Sequence, residues 1–90
     1  MIRAIRKEIE DALNKGKLIY GSNKTIESII KGKAKKVVIA RDCPFEIKED
    51  ILHYCELADI PCIEINLNSR ELGTLCKRPH VITALAILKD

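Results

Sequence analysis

Two short stretches of this ninety-residue chain hold residue types that could do recognition chemistry. The first, Gly21-Ser22-Asn23-Lys24-Thr25, follows the apolar triplet Leu18-Ile19-Tyr20 and leads into a segment with helical apolar spacing. A strand-to-helix turn of this kind aims a helix N-terminus, with free N–H groups and partial positive charge, out of the end of a sheet. Gly21 permits the sharp turn and a close backbone approach, Ser22 or Asn23 is expected to cap the helix, and Lys24 adds a full charge. That is a seat for an anionic, hydrogen-bonding partner. The second stretch, Lys77-Arg78-Pro79-His80, is a basic, kinked loop before the apolar run Val81 to Leu88.

Other chemistries lack their residues. A phosphate loop needs glycine five positions before its Gly-Lys, and Gly16-Lys17 and Gly32-Lys33 have Asp11 and Glu27 there. His53 and His80 are far apart, and no Asp, Glu, His or Cys cluster has metal-ligand spacing, so no metal or cofactor is expected. Cys43, Cys55, Cys62 and Cys76 form no C-x-x-C pair and read as reduced, mostly buried thiols. Arg78-Pro79 breaks the helix that would join Cys76 to His80, and Asp42 is assigned to capping the third helix. No catalytic residue is expected.

The elements that must position these stretches follow from apolar periodicity. Ile2, Ile5, Ile9, Ala12 and Leu13 predict a helix over 3–15 that Gly16 stops; residues 17–20 form a short strand. Ile26, Ile29 and Ile30 give a second helix its stripe, ended by Gly32. Lys31, Lys33, Lys35 and Lys36 then either solvate a helix end and loop or meet phosphate. Residues 36–41 read as a strand buried on both faces. Pro44 opens a third helix whose inner face holds Ile47, Ile51, Cys55 and Ala58, with His53 on the surface and Tyr54 half-buried. Residues 60–65 form a strand, Asn68 to Glu71 resembles a capping box, Leu72, Leu75 and Cys76 face inward, and 81–88 is the last strand.

Helix, three strand–helix units and a strand predict one α/β/α domain over residues 1–90 around a small, mostly parallel sheet. Ligands of such sheets sit beyond the carboxyl ends of the strands, where 21–25, the Arg41–Pro44 corner and the entry to the last strand should gather. With 47% hydrophobic and 32% charged residues the chain is globular, and a net charge of +3 hints only mildly at a polyanion. Aromatics at 3% exclude a base-stacking platform along a single strand. No apolar run spans a membrane, and the first residues are too charged for a signal peptide and too acidic for a transit peptide, so a cytoplasmic location is expected.

The stretch Gly21-Ser22-Asn23-Lys24-Thr25, followed by Gly32-Lys33-Ala34-Lys35-Lys36-Val37-Val38-Ile39-Ala40, resembles the L-seven-Ae RNA-binding superfamily. Glu46 to Ile51, Ile60-Pro61, Glu71-Leu72-Gly73-Thr74-Leu75 and Arg78-Pro79-His80 narrow the resemblance to the archaeal branch of the L-thirty-e ribosomal family. The match runs in order along essentially the whole chain. It implies a three-layer α/β/α sandwich with a four-stranded mixed sheet, the last strand antiparallel to the others. It also implies a non-catalytic constituent of the large ribosomal subunit, monomeric when free, that binds a kink-turn of ribosomal RNA. On this resemblance Gly21, Ser22, Asn23 and Lys24 enter the kink, and Pro79, His80 and Val81 cover an extruded base.

The residue chemistry fits that assignment. The Asn23 amide suits a purine edge, Lys24 suits phosphate, and Pro79, His80 and Val81 offer a flat or apolar surface to an unstacked base. Lys33, Lys35, Arg41, Lys77 and Arg78 are further phosphate partners. Glu27 departs from the superfamily, where many members have Lys, and would oppose RNA unless it faces away or pairs with a cation. Two other functions compatible with the residues are service in a different ribonucleoprotein and a protein–protein interaction module.

Overall fold

The computed structural model describes residues 2–89, with side chains from Ile5 onward, so the inward position expected of the Ile2 side chain lies outside what is described. The elements run α1 (Ile2–Asn14), β1 (Leu18–Tyr20), α2 (Ser22–Ile30), β2 (Ala34–Ile39), α3 (Phe45–Ala58), β3 (Cys62–Glu64), α4 (Ser69–Leu75) and β4 (Ala84–Leu88). The sheet order is β1-β4-β2-β3. Strand β4 is antiparallel to both neighbours, and β2 and β3 form the single parallel pair. The mostly parallel sheet expected from element alternation is therefore corrected to the mixed sheet that the resemblance implied.

Period-two alternation builds two cores, one on each face of the sheet. Val38, Leu85 and Ile87 point to one face, where Ile9 and Ala12 of α1 and Leu72 of α4 cover them. Val37, Ile39, Ala84 and Ala86 point to the other, under Ile29 of α2 and Ile51 and Cys55 of α3. Ile9, Ile51 and Leu72 are fully buried, each contributing about 1.5–3 kcal/mol of burial that clamps its helix to the sheet.

Several boundaries move for identifiable reasons. Strand β2 starts at Ala34, and Lys36 lies within it, drawn to the Glu8 carboxylate of α1 at 2.9 Å. Strand β4 starts only at Ala84, because the Ile82 N–H is taken by the Ser69 carbonyl of α4. Strand β3 is shortened to 62–64, although the Pro61 carbonyl still accepts the Val37 N–H. Asp42 does not cap α3; its two carboxylate oxygens accept the Ser69 N–H at 2.7 Å and the Ser69 hydroxyl at 3.0 Å, fastening the start of α4 to the end of β2. The capping box at Asn68 and Glu71 is complete. Ile30 and Ala58, both expected inside, are exposed, and Leu75 is only half-buried. His53 lies on the surface and Tyr54 is half-buried, as expected.

Candidate nucleic-acid interface

The antiparallel setting of β4 decides which loops meet. Because β4 runs against β1 and β2, its entry lies beside their carboxyl ends, with Tyr20 opposite Leu85 and Ile39 opposite Ala84. The Gly21 N–H donates to the Ala84 carbonyl at 3.0 Å, and the Ala40 N–H to the Thr83 carbonyl at 2.8 Å. The strand-to-helix turn, the end of β2 and the loop before β4 thus share one end of the molecule.

At that end Gly21 is the N-cap of α2, with φ 101° and ψ 138°, and no side chain caps the helix. The expectation that Ser22 or Asn23 caps it is corrected: both lie in its first turn, because only glycine takes this backbone conformation without strain. The Thr25 N–H closes the turn on the Gly21 carbonyl at 2.9 Å, while Thr25 itself is buried. Asn23 and Lys24 are exposed, Ser22 is half-buried, and the first-turn N–H groups face outward without an intrahelical partner.

The second loop leans on the first through Tyr20. The Arg78 guanidinium carbon lies 4.7 Å from the centroid of the Tyr20 ring, a cation–π stack. The His80 ring centroid is 6.2 Å from that of Tyr20, tilted by 52°. Pro79, His80 and Val81 are exposed, Val81 to 57% despite its apolar side chain. Behind this loop stands Gly73 of α4: a Cβ there would overlap the His80 carbonyl oxygen, and the Arg78 N–H donates to the Gly73 carbonyl at 2.9 Å. Lys77 takes φ 58°, the left-handed turn that brings the chain round.

Neither Tyr20 nor Gly73 stands out as a functional position in the sequence. Their signals are an aromatic side chain just before the glycine turn, in a chain with few aromatics, and a glycine inside a helical pattern, which marks a close approach.

The cations distribute unevenly. Lys24, Lys31 and Lys33 line a groove of about 200 Å³ along α2 together with Ile19, Glu27 and Ser28. Glu27 pairs with Lys31 at 2.6 Å, and that hydrogen bond, helped by the charges of Lys31, Lys24 and Lys33, holds its carboxyl below its ordinary pKa. The charge that would oppose a polyanion is thereby matched within one helical turn. Arg41 lies at the loop end but bonds to the Asn66 side-chain oxygen at 3.3 Å, with Glu71 3.9 Å away. Lys35 is not part of the cluster: it lies at the opposite end of the sheet, lining a depression with Glu8, Asp11, Lys15 and Lys17.

All four cysteines are free, with Cys55 and Cys76 buried and Cys43 and Cys62 half-buried. Burial pushes the Cys62 thiol up to about 12 and the Cys76 thiol up to about 11, so neither is a thiolate nucleophile at neutral pH. Among the described residues no group of His, Cys, Asp or Glu could hold a metal ion, and no helix is long and apolar enough to cross a membrane.

A three-layer sandwich that gathers a glycine-led helix N-terminus, an exposed lysine, Lys24, and an Arg78–Tyr20–His80 trio at one end defines a class of small α/β/α domain with an exposed cationic loop end. The chain belongs to the ribosomal protein L7Ae/L30e/S12e/Gadd45 family, which it matches over residues 3–90. It is 43% identical over 89 residues to the large ribosomal subunit protein eL30 of Methanopyrus kandleri, covering 99% of this chain and 82% of that one. The eL30 of Sulfurisphaera tokodaii is 36% identical over 97% of this chain and 82% of its own. A solved structure of a 15.5 kD RNA-binding protein from Giardia lamblia superposes with a TM-score of 0.81 at 25% identity, over 96% of this chain and 72% of that one. A Bacillus halodurans protein of unknown function shares the fold at a TM-score of 0.85 and 18% identity, over 93% and 83% of the two chains.

Proposed function

We propose that this protein is a cytoplasmic, non-catalytic constituent of the large ribosomal subunit that binds a kink-turn of ribosomal RNA as a monomer. The observation that carries the reading is the meeting of the Gly21–Lys24 turn with the Arg78–Val81 loop around Tyr20. Likeness to eL30 proteins over 97–99% of this chain and 82% of each of theirs supports the ribosomal setting.

In this reading the uncapped first turn of α2 lets backbone N–H groups reach phosphate oxygens with no side chain in the way. Asn23 reads a purine edge, Lys24 meets phosphate, and Pro79, His80 and Val81 cover an unstacked base. Lys33, Lys77 and Arg78 meet the flanking backbone, with Arg78 held ready by the Tyr20 ring. Arg41 reaches the RNA only by leaving Asn66. Lys35 takes no part.

A gel shift comparing a kink-turn RNA with a straight duplex of equal length tests the reading. The kink-turn is expected to bind in preference, with affinity falling steeply as salt rises. Asn23→Ala should weaken it by about 1–3 kcal/mol, the cost of an unpaired group in the contact. Equal binding to both RNAs, or an unaltered Asn23→Ala variant, would refute it. The likeness to the Giardia RNA-binding protein supports a second reading, a kink-turn protein of a different ribonucleoprotein. Co-sedimentation with large ribosomal subunits separates the two.

A further inference from the structure

We propose that the outward face of α3 is a docking surface for a lysine- and arginine-rich amphipathic segment of another protein. The helix carries large apolar residues on both sides. Ile47, Ile51 and Cys55 pack toward the sheet, while Phe45, Leu52 and Leu57 are 71%, 40% and 71% exposed. Glu46, Glu49, Asp50 and Glu56 are exposed at intervening positions of the same outward arc. Helix α1 shows the usual alternative: among its described side chains the exposed positions Arg6, Lys7, Glu10 and Asp11 mix both signs and include no large apolar residue.

Charge makes the α3 face selective. The helix holds four carboxylates and one base, Lys48, and that base turns away to the carboxylate of Glu64, the last residue of β3. None of the four carboxylates enters an ion pair among the described residues. The rest of the chain holds fifteen bases against nine acids, so negative charge is concentrated on this helix. Such a face repels phosphate. To be covered, its carboxylates need cations, because a carboxylate taken from water unpaired is costly. Its apolar residues need a matching apolar stripe. A basic amphipathic segment supplies both. Only the source of that segment, a neighbouring basic protein of the same ribonucleoprotein, rests on the function proposed above.

The full-length protein is titrated with two short helical peptides of equal charge, one of lysine and leucine in amphipathic register, the other with serine replacing leucine. The leucine peptide is expected to bind about tenfold tighter or more, the equivalent of burying one apolar side chain. Phe45→Ser/Leu57→Ser should abolish that preference, and Glu49→Lys/Glu56→Lys should weaken both peptides. Both variants should retain the parent's melting profile, since the altered side chains are exposed. Equal binding of the two peptides, or a preference that survives Phe45→Ser/Leu57→Ser, overturns the proposal. So does a parent that sediments as a dimer and becomes monomeric in that variant, because the occupant is then a second copy. Loss of the gel shift by the parent itself would overturn the RNA reading and leave the peptide result standing.

Discussion

Replacing Gly73 by alanine tests whether the fold and the loop end depend on one another. Gly73 is buried in α4 with its α-hydrogens against the backbone of the loop before β4. An added Cβ would overlap the His80 carbonyl oxygen, with the His80 carbonyl carbon at 3.3 Å and Val81 Cα at 3.6 Å. Alanine gains about 1 kcal/mol over glycine in a helix, whereas overpacking a filled site costs about 1–3 kcal/mol. Here the obstructing atoms are backbone rather than the tip of a flexible side chain, so the cost should win. The loop must retreat by about 1 Å to restore van der Waals contact. Gly73→Ala is therefore expected to lose about 1–2 kcal/mol in urea unfolding. Its kink-turn affinity should fall about tenfold under conditions where the variant is fully folded, because His80 and Val81 have moved. A variant as stable as the parent would refute the packing argument. A destabilised variant with unchanged RNA affinity would remove Pro79, His80 and Val81 from the interface.

Three further outcomes follow from the geometry. Asp42→Ala removes both acceptors for Ser69 and should cost about 1–2 kcal/mol in urea unfolding, with Asp42→Asn recovering part of it. Lys77→Gly relieves a left-handed residue and should stabilise the protein by about 1 kcal/mol, read as a higher melting temperature. Cys62 and Cys76 hold their protons more tightly folded than unfolded, since burial raises them to about 12 and about 11 from the ordinary 9.0. Their stabilisation is thus complete below pH 9 and declines from there toward pH 12, which denaturation midpoints across that range will show. A cysteine-free variant that remains folded should lose the Cys62 and Cys76 contribution to that decline.

Placing Glu27 beside Lys31, one helical turn on, also bears on the one acidic residue lining the groove along α2. An i,i+4 pair at the surface contributes only a few tenths of a kcal/mol to stability. Its larger consequence is electrostatic: the carboxylate spends its charge on Lys31 and leaves Lys24 and Lys33 to dominate the groove along α2.

The sequence by itself determined the elements and much of what they present. Apolar spacing located all four helices and all four strands, and glycine turns at Gly16, Gly21 and Gly32, each at positive φ, were legible because few other residues adopt that conformation. The candidate end was legible too, since a glycine turn opening a helix and a basic loop before a strand are local patterns. Tertiary structure alone decided strand direction: an apolar run such as Ala84–Leu88 reads the same parallel or antiparallel, and only its place between β1 and β2 brings its entry to the carboxyl ends. It likewise sent Asp42 to α4 rather than α3, took Lys36 to Glu8 and Lys35 to the far end, and set Tyr20 between two loops. The pairings of Asp42 with Ser69, Lys36 with Glu8 and Tyr20 with Arg78 each cross more than twenty residues, fixed when two faces pack and invisible to the spacing within either one.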